Sequence, residues 1–434
     1  MNPLDQVRAN PMQPAQLLAV SICLVINFLD GFDVLAIAFA APEIALDWSV
    51  NSKDLGVIFS AGLAGMVVGA LLLSPLADRF GRRRLILACL CVVSAGMLTT
   101  AICSNVPQLI AARVVTGLGV GGMLSSLTTM VAEYSNDRHR KLAISILQSG
   151  YPVGAIIAGI ASAYLLREFG WRSIFVVGGC MSLLMIPLVL WRLPESIAFL
   201  VARQPPRALE QLNSILIRLG QVPLGEMPDN ENRSVKHGST QEIFSATFRG
   251  RTFAIWIAFV ALLSAFYFVT NWTPKILIDA GLSTDAGISG GVLIAAGGVV
   301  GGLALGWISG RISVYKVAAF YMLVAMVAMG VFGFLDFKLS TMLPAAFLIG
   351  FFLAGSIIGL YSLVPDLYPS RIRNTGIGWA LGIGRLGAVI GPFAAGALIN
   401  AGWERSEYFL ALSLPIVASL IAVLWLQARV QPEY

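Results

Sequence analysis

The sequence predicts an all-α membrane protein with twelve transmembrane helices, arranged as two parallel six-helix repeats with both termini on the inner side. Three observations predict this fold: the composition, the spacing of the apolar runs, and an internal repeat. Hydrophobic residues make up 57% of the 434 residues and charged residues only 12%, about half the charged fraction of a typical soluble protein. The mean hydropathy of +0.81 agrees with a chain that lies in a lipid bilayer.

Apolar runs of roughly 20 residues recur along the whole chain, and each is long enough to cross about 30 Å of hydrocarbon. The first run follows a polar start and lacks a short apolar segment with a cleavage site, so we interpret it as a retained span and not as a signal peptide. The twelve expected spans lie near residues 16–41, 54–76, 85–103, 107–131, 142–166, 171–191, 252–277, 287–310, 317–335, 341–363, 375–399 and 408–428.

The distribution of Lys and Arg predicts the orientation. With both termini placed inside, 21 of the 29 basic residues fall on inner segments and 6 on outer loops, while Arg113 and Arg385 lie within spans. This asymmetry follows the positive-inside rule, and we expect a multi-pass protein of a bacterial-type inner membrane. The net charge of +6 is explained by these loops and requires no nucleic-acid partner.

A long polar segment, residues 193–250, separates residues 1–192 from residues 251–434, and we interpret it as a cytoplasmic linker between two six-helix domains. At an offset of about 233 residues, VAEYSNDRHRKLAIS at 131–145 aligns with VPDLYPSRIRNTGIG at 364–378. The same offset recurs at other places in the chain. It predicts a parallel repeat, with a substrate site near the middle of the membrane between the two halves.

Motifs of soluble enzymes are absent from the sequence. It contains no HExxH, GxSxG or GxxxxGK[ST], and therefore predicts no zinc site, no hydrolase nucleophile and no ATP-binding loop. The five cysteines all lie in apolar runs without metal or disulfide spacing. We expect no enzymatic activity, no catalytic residue, no metal and no organic cofactor.

Several motifs resemble one known family. GALLLSPLADRFGRRRL at 69–85 resembles the G-x-x-x-D-R-x-G-R-R/K signature of the major facilitator superfamily, and PES at 194–196 resembles a second signature of it. Within that superfamily, DGFD at 30–33 resembles the aromatic acid/proton symporter family, as do ARVVTGLGVGGMLSS at 112–126 and GIGRLGAVIGP at 382–392. The resemblance covers nearly the whole chain, and it implies the major facilitator fold and the import of benzoate-like carboxylates.

The first signature predicts a gate on the cytoplasmic side. A carboxylate between two helices can meet a helix N-terminus and basic residues while the inner side is shut. The second half has Arg311 where the repeat places Asp78, so its gate is weaker or is built from Asp366 and Arg373. The alternative is that the arginines of the signature serve orientation only. The expected gate residues are Gly69, Asp78, Arg79, Gly81, Arg82, Glu133, Arg140, Asp366 and Arg373.

Three charges within spans are candidates for proton coupling: Asp30, Asp33 and Arg113. Each costs about 2.5–3.5 kcal/mol at a helix centre. Asp33 lies nine residues before Pro42, near the outer end, and Arg113 seven residues into its span, so both lie roughly 10–13 Å inward. We expect the two to pair and Asp33 to carry the proton, with Asp30 nearer the substrate or titrating as a second site. The alternative is a static ion pair that fixes helix packing.

Arg385 lies near the middle of the eleventh span, and its repeat-mate is the uncharged Pro152. Two parallel hydrogen bonds from a guanidinium suit a carboxylate substrate, although an interior ion pair is the alternative. Aromatic side chains can flank a planar ring, while a single aromatic residue more often belongs to packing or to the membrane interface. The other expected substrate contacts are Gln148, Phe266, Tyr267, Tyr361 and Trp379, with Phe351 and Phe352 as further candidates.

The sequence therefore predicts a monomeric, proton-coupled importer of aromatic carboxylic acids that works by alternating access of its two halves. Its expected partners are the organic acid, protons as the coupling ion, and the lipid bilayer. Two alternatives stay open: a carrier of other organic anions such as muconate, quinate or nicotinate, and a proton-coupled sugar porter. A membrane sensor, a membrane enzyme and a multidrug exporter are less favoured, the last because SGYPVGAIIAG at 149–159 lacks the G-x-x-x-G-P-x-x-G pattern.

Overall fold

The computed structural model describes residues 3–228, 240–335 and 338–429 of the chain. Within these residues the regular structure is entirely helical, and twelve spans are long and apolar enough to cross a membrane. The predicted twelve-helix fold is therefore confirmed, and the chain is a multi-pass membrane protein.

The first half begins with a short helix, α1, and its third and fifth helices are separated by one helical turn, α4. The helices of this half are α1 Pro3–Ala9, α2 Pro14–Asp47, α3 Ser52–Leu72, α4 Ala77–Phe80, α5 Arg82–Ile102, α6 Val106–Glu133, α7 Arg140–Phe169 and α8 Arg172–Arg192.

Two short helices follow in the linker, and the second half then repeats the spans of the first. Its last span is broken before Pro415 into two helices. The remaining helices are α9 Ile197–Arg203, α10 Ala208–Arg218, α11 Arg249–Asp279, α12 Thr284–Ser309, α13 Val314–Phe334, α14 Leu339–Leu363, α15 Ser370–Asn400, α16 Arg405–Ser413 and α17 Pro415–Arg429.

The first span is longer than its proline indicates. Helix α2 continues through Pro42 to Asp47, because transmembrane helices tolerate proline where neighbouring groups satisfy the freed backbone. Asp33 is therefore 14 residues, roughly 21 Å, from the helix end, and the depth estimate that assumed an end at Pro42 is wrong. Arg113 is the eighth residue of α6, so α2 projects beyond α6 on this side of the bundle.

Equivalent helices pack in the same way in the two halves. Helix α2 packs on α7 and α3 on α6 in the first half, as α11 packs on α15 and α12 on α14 in the second. Between the halves, α3 packs on α15, α7 on α12 and α2 on α11. Swapping the halves exchanges the α3–α15 pair with the α7–α12 pair and maps the α2–α11 pair onto itself, which is the relation expected of two parallel repeats.

We call the side on which α8 ends and α11 begins the linker side, and the opposite side the far side. Contacts between the halves lie towards the far side. The hydroxyl of Ser60 donates to the carbonyl of Val389 over 2.8 Å, and the rings of Phe59 and Trp272 meet edge to face at 5.3 Å. The two halves are therefore held together in the far-side half of the bundle.

Glycine allows α2 and α7 to approach closely at the DGFD motif. A Cβ on Gly31 would collide with the backbone carbonyl of Tyr151, and a Cβ on Gly154 with that of Phe28. Small residues permit such backbone contact in membrane bundles. The glycine of the motif is thus required by packing, and it places the two aspartates on either side of the α2–α7 contact.

Substituting Gly31→Ala tests this packing. We expect a destabilisation of about 1–3 kcal/mol, the usual cost of overpacking a tight contact, and a lower Tm of the purified protein in detergent. Gly306→Ala is the matched control, because Gly306 is also helical and a Cβ there meets no atom within 4 Å. Equal Tm values for Gly31→Ala and the wild type would contradict the inferred role of this glycine.

Candidate functional site

A buried ion pair joins α2 to α6. Nη1 of Arg113 lies 3.0 Å from Oδ1 of Asp33, and both side chains are only 3% exposed. Nη2 of Arg113 also donates to the backbone carbonyl of Asp33 over 3.2 Å. The pair is incompletely satisfied, since Oδ2 of Asp33 and Nε of Arg113 have no partner among the described residues. A buried pair in this state is costly to maintain.

Asp30 lies one turn nearer the linker side and is not part of this pair. Its side chain is 2% exposed, and neither carboxyl oxygen has a hydrogen-bond partner in the part of the chain that the structure describes. One further turn along α2, the amide of Asn27 donates to the carbonyl of Leu147, while its Oδ1 has no partner. Because an ionised carboxylate without partners is strongly disfavoured away from water, Asp30 is suited to binding and releasing a proton.

A small cavity connects the ion pair to the second half. It has a volume of about 10 Å³ and is lined by Asp33, Arg113 and Asn271, together with apolar residues of α2 and α3. This volume is close to the minimum that holds one water molecule. Since Asn271 belongs to α11, the polar groups of the first half reach the boundary between the halves here.

Arg385 lies in the middle of α15 and has no carboxylate partner among the described ion pairs. Its guanidinium lies within electrostatic reach of the hydroxyls of Tyr267 on α11 and Tyr361 on α14. The structure therefore presents a cation with two hydroxyl groups within its electrostatic reach, and the interior ion pair that was the alternative does not occur among the described residues. Such a group can accept a carboxylate in two parallel hydrogen bonds.

Two more of the predicted substrate residues lie on α11 and α7. Phe266 is half-buried and its ring lies 5.3 Å from that of Tyr267. Gln148 is exposed on α7, nearly one helical turn from Tyr151 towards the linker side. Tyr361 is also exposed, with its ring 5.4 Å from that of Phe259. Gln148 and Tyr361 lie in the linker-side parts of their helices. Their exposure there, together with the contacts between the halves on the far side, indicates that the space between the halves opens towards the linker side.

The structure does not place every predicted aromatic residue beside Arg385. Trp379 stacks on Trp256 at 5.8 Å, within an aromatic cluster between α11 and α15, and six helical positions turn it about 120° away from Arg385. Phe351 and Phe352 pack on Tyr321 of α13, with ring centroids 5.7 and 5.1 Å from it. These contacts are packing contacts, whereas a substrate contact of Trp379 remains a prediction.

Sequence reasoning missed three residues of the site: Asn27, Tyr151 and Asn271. Each is polar within an apolar run, which is the signal that could have found it. Asn27 also precedes Asp30 by three positions and therefore shares its helix face. The roles of Tyr151 and Asn271 depend on contacts between the halves, which no local pattern reveals.

Three of the predicted gate residues, Asp78, Arg82 and Glu133, form a network with Ser196 on the linker side. Nη1 of Arg82 lies 3.2 Å from Oε1 of Glu133 and donates to Oγ of Ser196 over 2.5 Å. That hydroxyl in turn donates to Oε2 of Glu133 over 2.7 Å. Nη2 of Arg82 also lies 3.4 Å from Asp78. The network ties α5 to the end of α6 and to the segment that leads into α9.

Glycine has two roles in this signature. Gly81 has φ +104°, and a Cβ there would also collide with the carboxylate of Glu195, which accepts from the backbone N–H of Arg83 over 3.0 Å. Gly69 instead lets α3 touch the backbone of α6 at Leu118. Both glycines therefore contribute to the packing of the first half.

The other gate residues are not joined to this network by any ion pair that the structure describes. Arg79 lies over the ring of Phe80 at 5.2 Å, and Nε of Arg373 donates to the carbonyl of Tyr368 over 3.5 Å. Arg140 begins α7, and Asp366 is exposed in the turn after α14. Among the described ion pairs none crosses between the halves, and a gating role for these residues stays a prediction.

Replacing each aspartate separately distinguishes the two carboxyl groups by stability. We expect Asp33→Asn to lower Tm in detergent, because breaking a buried ion pair costs about 3–5 kcal/mol. Asp30→Asn should leave Tm at the wild-type value, since Asp30 makes no bond that the substitution removes. Asp279→Asn is the control: it breaks an ion pair with Lys275 in which Asp279 is 56% exposed, and exposed pairs contribute little. A drop for Asp30→Asn equal to that for Asp33→Asn would contradict this assignment.

Comparison with known proteins agrees with the geometry. The family model of the Major Facilitator Superfamily matches residues 23–344 and 300–433. The chain is 34% identical to the 4-hydroxybenzoate transporter PcaK of Pseudomonas aeruginosa, over 96% of this chain and 94% of that protein. It is 33% identical to the gallate transporter of Pseudomonas putida, over 97% and 94%. It is also 30% identical to the 3-(3-hydroxy-phenyl)propionate transporter of Escherichia coli, over 96% of both chains.

A solved structure shares the fold. It is that of a bacterial homolog of the human lysosomal transporter Spinster in an inward-facing and unoccupied conformation, with a TM-score of 0.71 and 18% identity over 97% of this chain and 96% of that one. At this identity the likeness concerns the fold alone. From the family model and the full-length relatives together, the chain belongs to the Major Facilitator Superfamily, in the group of the aromatic acid transporters, and is a membrane transporter and not an enzyme.

Proposed function

We propose that the protein is a proton-coupled symporter that imports aromatic carboxylic acids across a bacterial inner membrane by alternating access. The observation that carries the proposal is the pair of buried acids in α2. Asp33 is held by Arg113, and Asp30 has no partner among the described residues. In this proposal both termini and the linker lie on the cytoplasmic side, and the monomer needs no cofactor beyond the proton.

The arrangement supports a proton cycle at Asp33. With the central space open to the linker side, Arg113 forms an ion pair with Asp33. This pairing is expected after Asp33 has released its proton to that side. When Arg113 withdraws, the carboxyl group is left without a partner in a low-dielectric site and takes up a proton. Asp30 serves as a second titrating group, nearer the substrate.

The arrangement also supports a carboxylate substrate at Arg385. The guanidinium can bind the carboxylate through two parallel hydrogen bonds. The aromatic ring of the substrate can then pack on the ring of Phe266, and polar contacts are available from Tyr267, Tyr361 and Gln148. Relatives named for transport of 4-hydroxybenzoate, gallate and 3-(3-hydroxy-phenyl)propionate favour a ring that bears both a carboxyl group and hydroxyl groups. Non-aromatic anions and hexoses remain the competing substrates.

Uptake into proteoliposomes tests the function directly. A radiolabelled panel of hydroxybenzoates, gallate, phenylpropanoids, muconate, quinate, nicotinate and hexoses is offered with and without an imposed pH gradient. We expect accumulation of aromatic carboxylates only when the outside is acidic. Gradient-independent accumulation would contradict proton coupling, and accumulation of hexoses without any carboxylate would favour the sugar porter.

Variants of Arg385 test the substrate site. Charge-assisted hydrogen bonds contribute about 1.5–3 kcal/mol, so Arg385→Ala should weaken binding of the transported acid by about 10- to 100-fold. Arg385→Lys should recover only part of this loss, because an ammonium group lacks the planar fork. Lys275→Ala on α11 is the control, since Lys275 pairs with Asp279 at the helix end. Equal affinities for Arg385→Ala and the wild type, measured by calorimetry, would rule out Arg385 as the carboxylate site.

A further inference from the structure

Two tyrosines face each other across the boundary between the halves. Tyr151 belongs to α7 of the first half and Tyr267 to α11 of the second. Their hydroxyl groups lie within electrostatic and hydrogen-bonding reach of one another, and the Tyr151 hydroxyl has no other partner in the described part of the chain. Buried hydroxyl groups in folded proteins almost always have a partner. A hydroxyl whose one partner belongs to the opposite half must exchange that partner when the halves move.

The position of Tyr151 is fixed relative to the acids of α2. Its backbone lies against Gly31, between Asp30 and Asp33, so closely that a Cβ at Gly31 would collide with it. The hydrogen bond from Asn27 to the carbonyl of Leu147 fixes the preceding turn of α7 in the same way. Tyr151 therefore moves with the proton site, and its hydroxyl lies within electrostatic reach of both carboxyl groups.

Tyr267 is fixed relative to the substrate site. It shares its surroundings with Arg385 and Tyr361, and the side chain of Asn271, one turn further along α11, donates to its backbone carbonyl over 2.8 Å. Asn271 also lines the small cavity beside Asp33 and Arg113. The boundary at these two tyrosines is thus the place where groups of the proton site and of the substrate site come together.

We propose that the hydroxyl groups of Tyr151 and Tyr267 transmit the protonation state of Asp30 to the anion site at Arg385. When Asp30 is ionised, it accepts the hydrogen of the Tyr151 hydroxyl and withdraws that group from Tyr267. When Asp30 is protonated, the Tyr151 hydroxyl donates instead to the oxygen of Tyr267. The hydroxyl hydrogen of Tyr267 then points to the substrate carboxylate. Only hydrogen bonds are exchanged, and no covalent step is involved.

This relay makes proton binding and substrate binding cooperative. Because an ionised Asp30 competes for the Tyr151 hydroxyl, protonation of Asp30 raises the affinity of the site for the anion. By linkage, a bound anion raises the affinity of Asp30 for the proton by the same factor. The charged and titratable groups that surround the two tyrosines are Asp30 and Asp33 on α2, Cys89 beside Asp30 on α5, Arg113 on α6, Tyr361 on α14 and Arg385 on α15.

The test rests on the proposed function and uses the full-length protein in detergent, with 4-hydroxybenzoate and gallate as probes. Their Kd values are measured from mildly acidic to mildly alkaline pH. In the wild type we expect tighter binding at acidic pH, by a coupling factor in the usual range of about 5–150. Tyr151→Phe should still bind the probes at alkaline pH but lose this pH dependence, because it lacks the shared hydroxyl. In proteoliposomes it should exchange substrate across the membrane but not accumulate it under a pH gradient.

Two further variants complete the design. Tyr164→Phe is the matched control on the same helix, where the tyrosine is 62% exposed and its ring meets that of Phe169 edge to face, and it should keep the wild-type profile. Tyr267→Phe removes the hydroxyl that the second half contributes to the relay, and it should lose the pH dependence too. The proposal therefore stays testable if Tyr151→Phe fails to fold.

The outcomes separate the relay from the proposed function. Wild-type pH dependence in both Tyr151→Phe and Tyr267→Phe would overturn the relay and leave proton-coupled transport intact. A wild type that binds and accumulates the acids without any dependence on pH would overturn both.

Discussion

The cost of placing charge away from water is the constraint on which this structure depends. A helix in hydrocarbon satisfies its own backbone but leaves a charged side chain to find a partner elsewhere. Arg113 and Asp33 find one another within the first half. Asp30 and Arg385 have no ion-pair partner among the described residues. Both lie where a proton, a ligand or the opposite half can supply what is missing, and the proposed transport cycle is built on them for that reason.

Packing determines how these charges can act together. Gly31 and Gly154 bring α2 and α7 into backbone contact, so that the acids and Tyr151 form one rigid group. On the linker side, Arg82, Glu133 and Ser196 fasten α5, α6 and the start of the linker into the same half. Because closely packed interiors transmit strain, a local change at Asp30 can reach the boundary between the halves through Tyr151.

The sequence was sufficient for the fold and for part of the site. Apolar runs of bilayer length and one constant offset predicted twelve helices in two repeats, because these are properties of composition and length. The contact between Arg113 and Asp33 was also predicted, although its depth argument counted from Pro42, where α2 does not end. The roles of Tyr151 and Asn271 could not be predicted, since they depend on the rotation of α7 and α11 against the opposite half. The packing of Trp379 on Trp256 could not be predicted for the same reason: helix rotation is set by packing, not by position along the span.

A static role for the buried charges explains only part of what is observed. The pair between Asp33 and Arg113 alone could serve as a fixed cross-link of α2 and α6. Asp30 does not cross-link helices in this way, because it makes no hydrogen bond or ion pair that the structure describes. Its burial costs free energy, and no described bond of its side chain offsets that cost. Replacement by a neutral residue of similar volume would therefore leave the stability of the fold unchanged. Asp30 lies between the ion pair and the boundary of the halves and does not stabilise the fold. We therefore attribute its presence to a step of the proposed transport cycle in which its protonation changes.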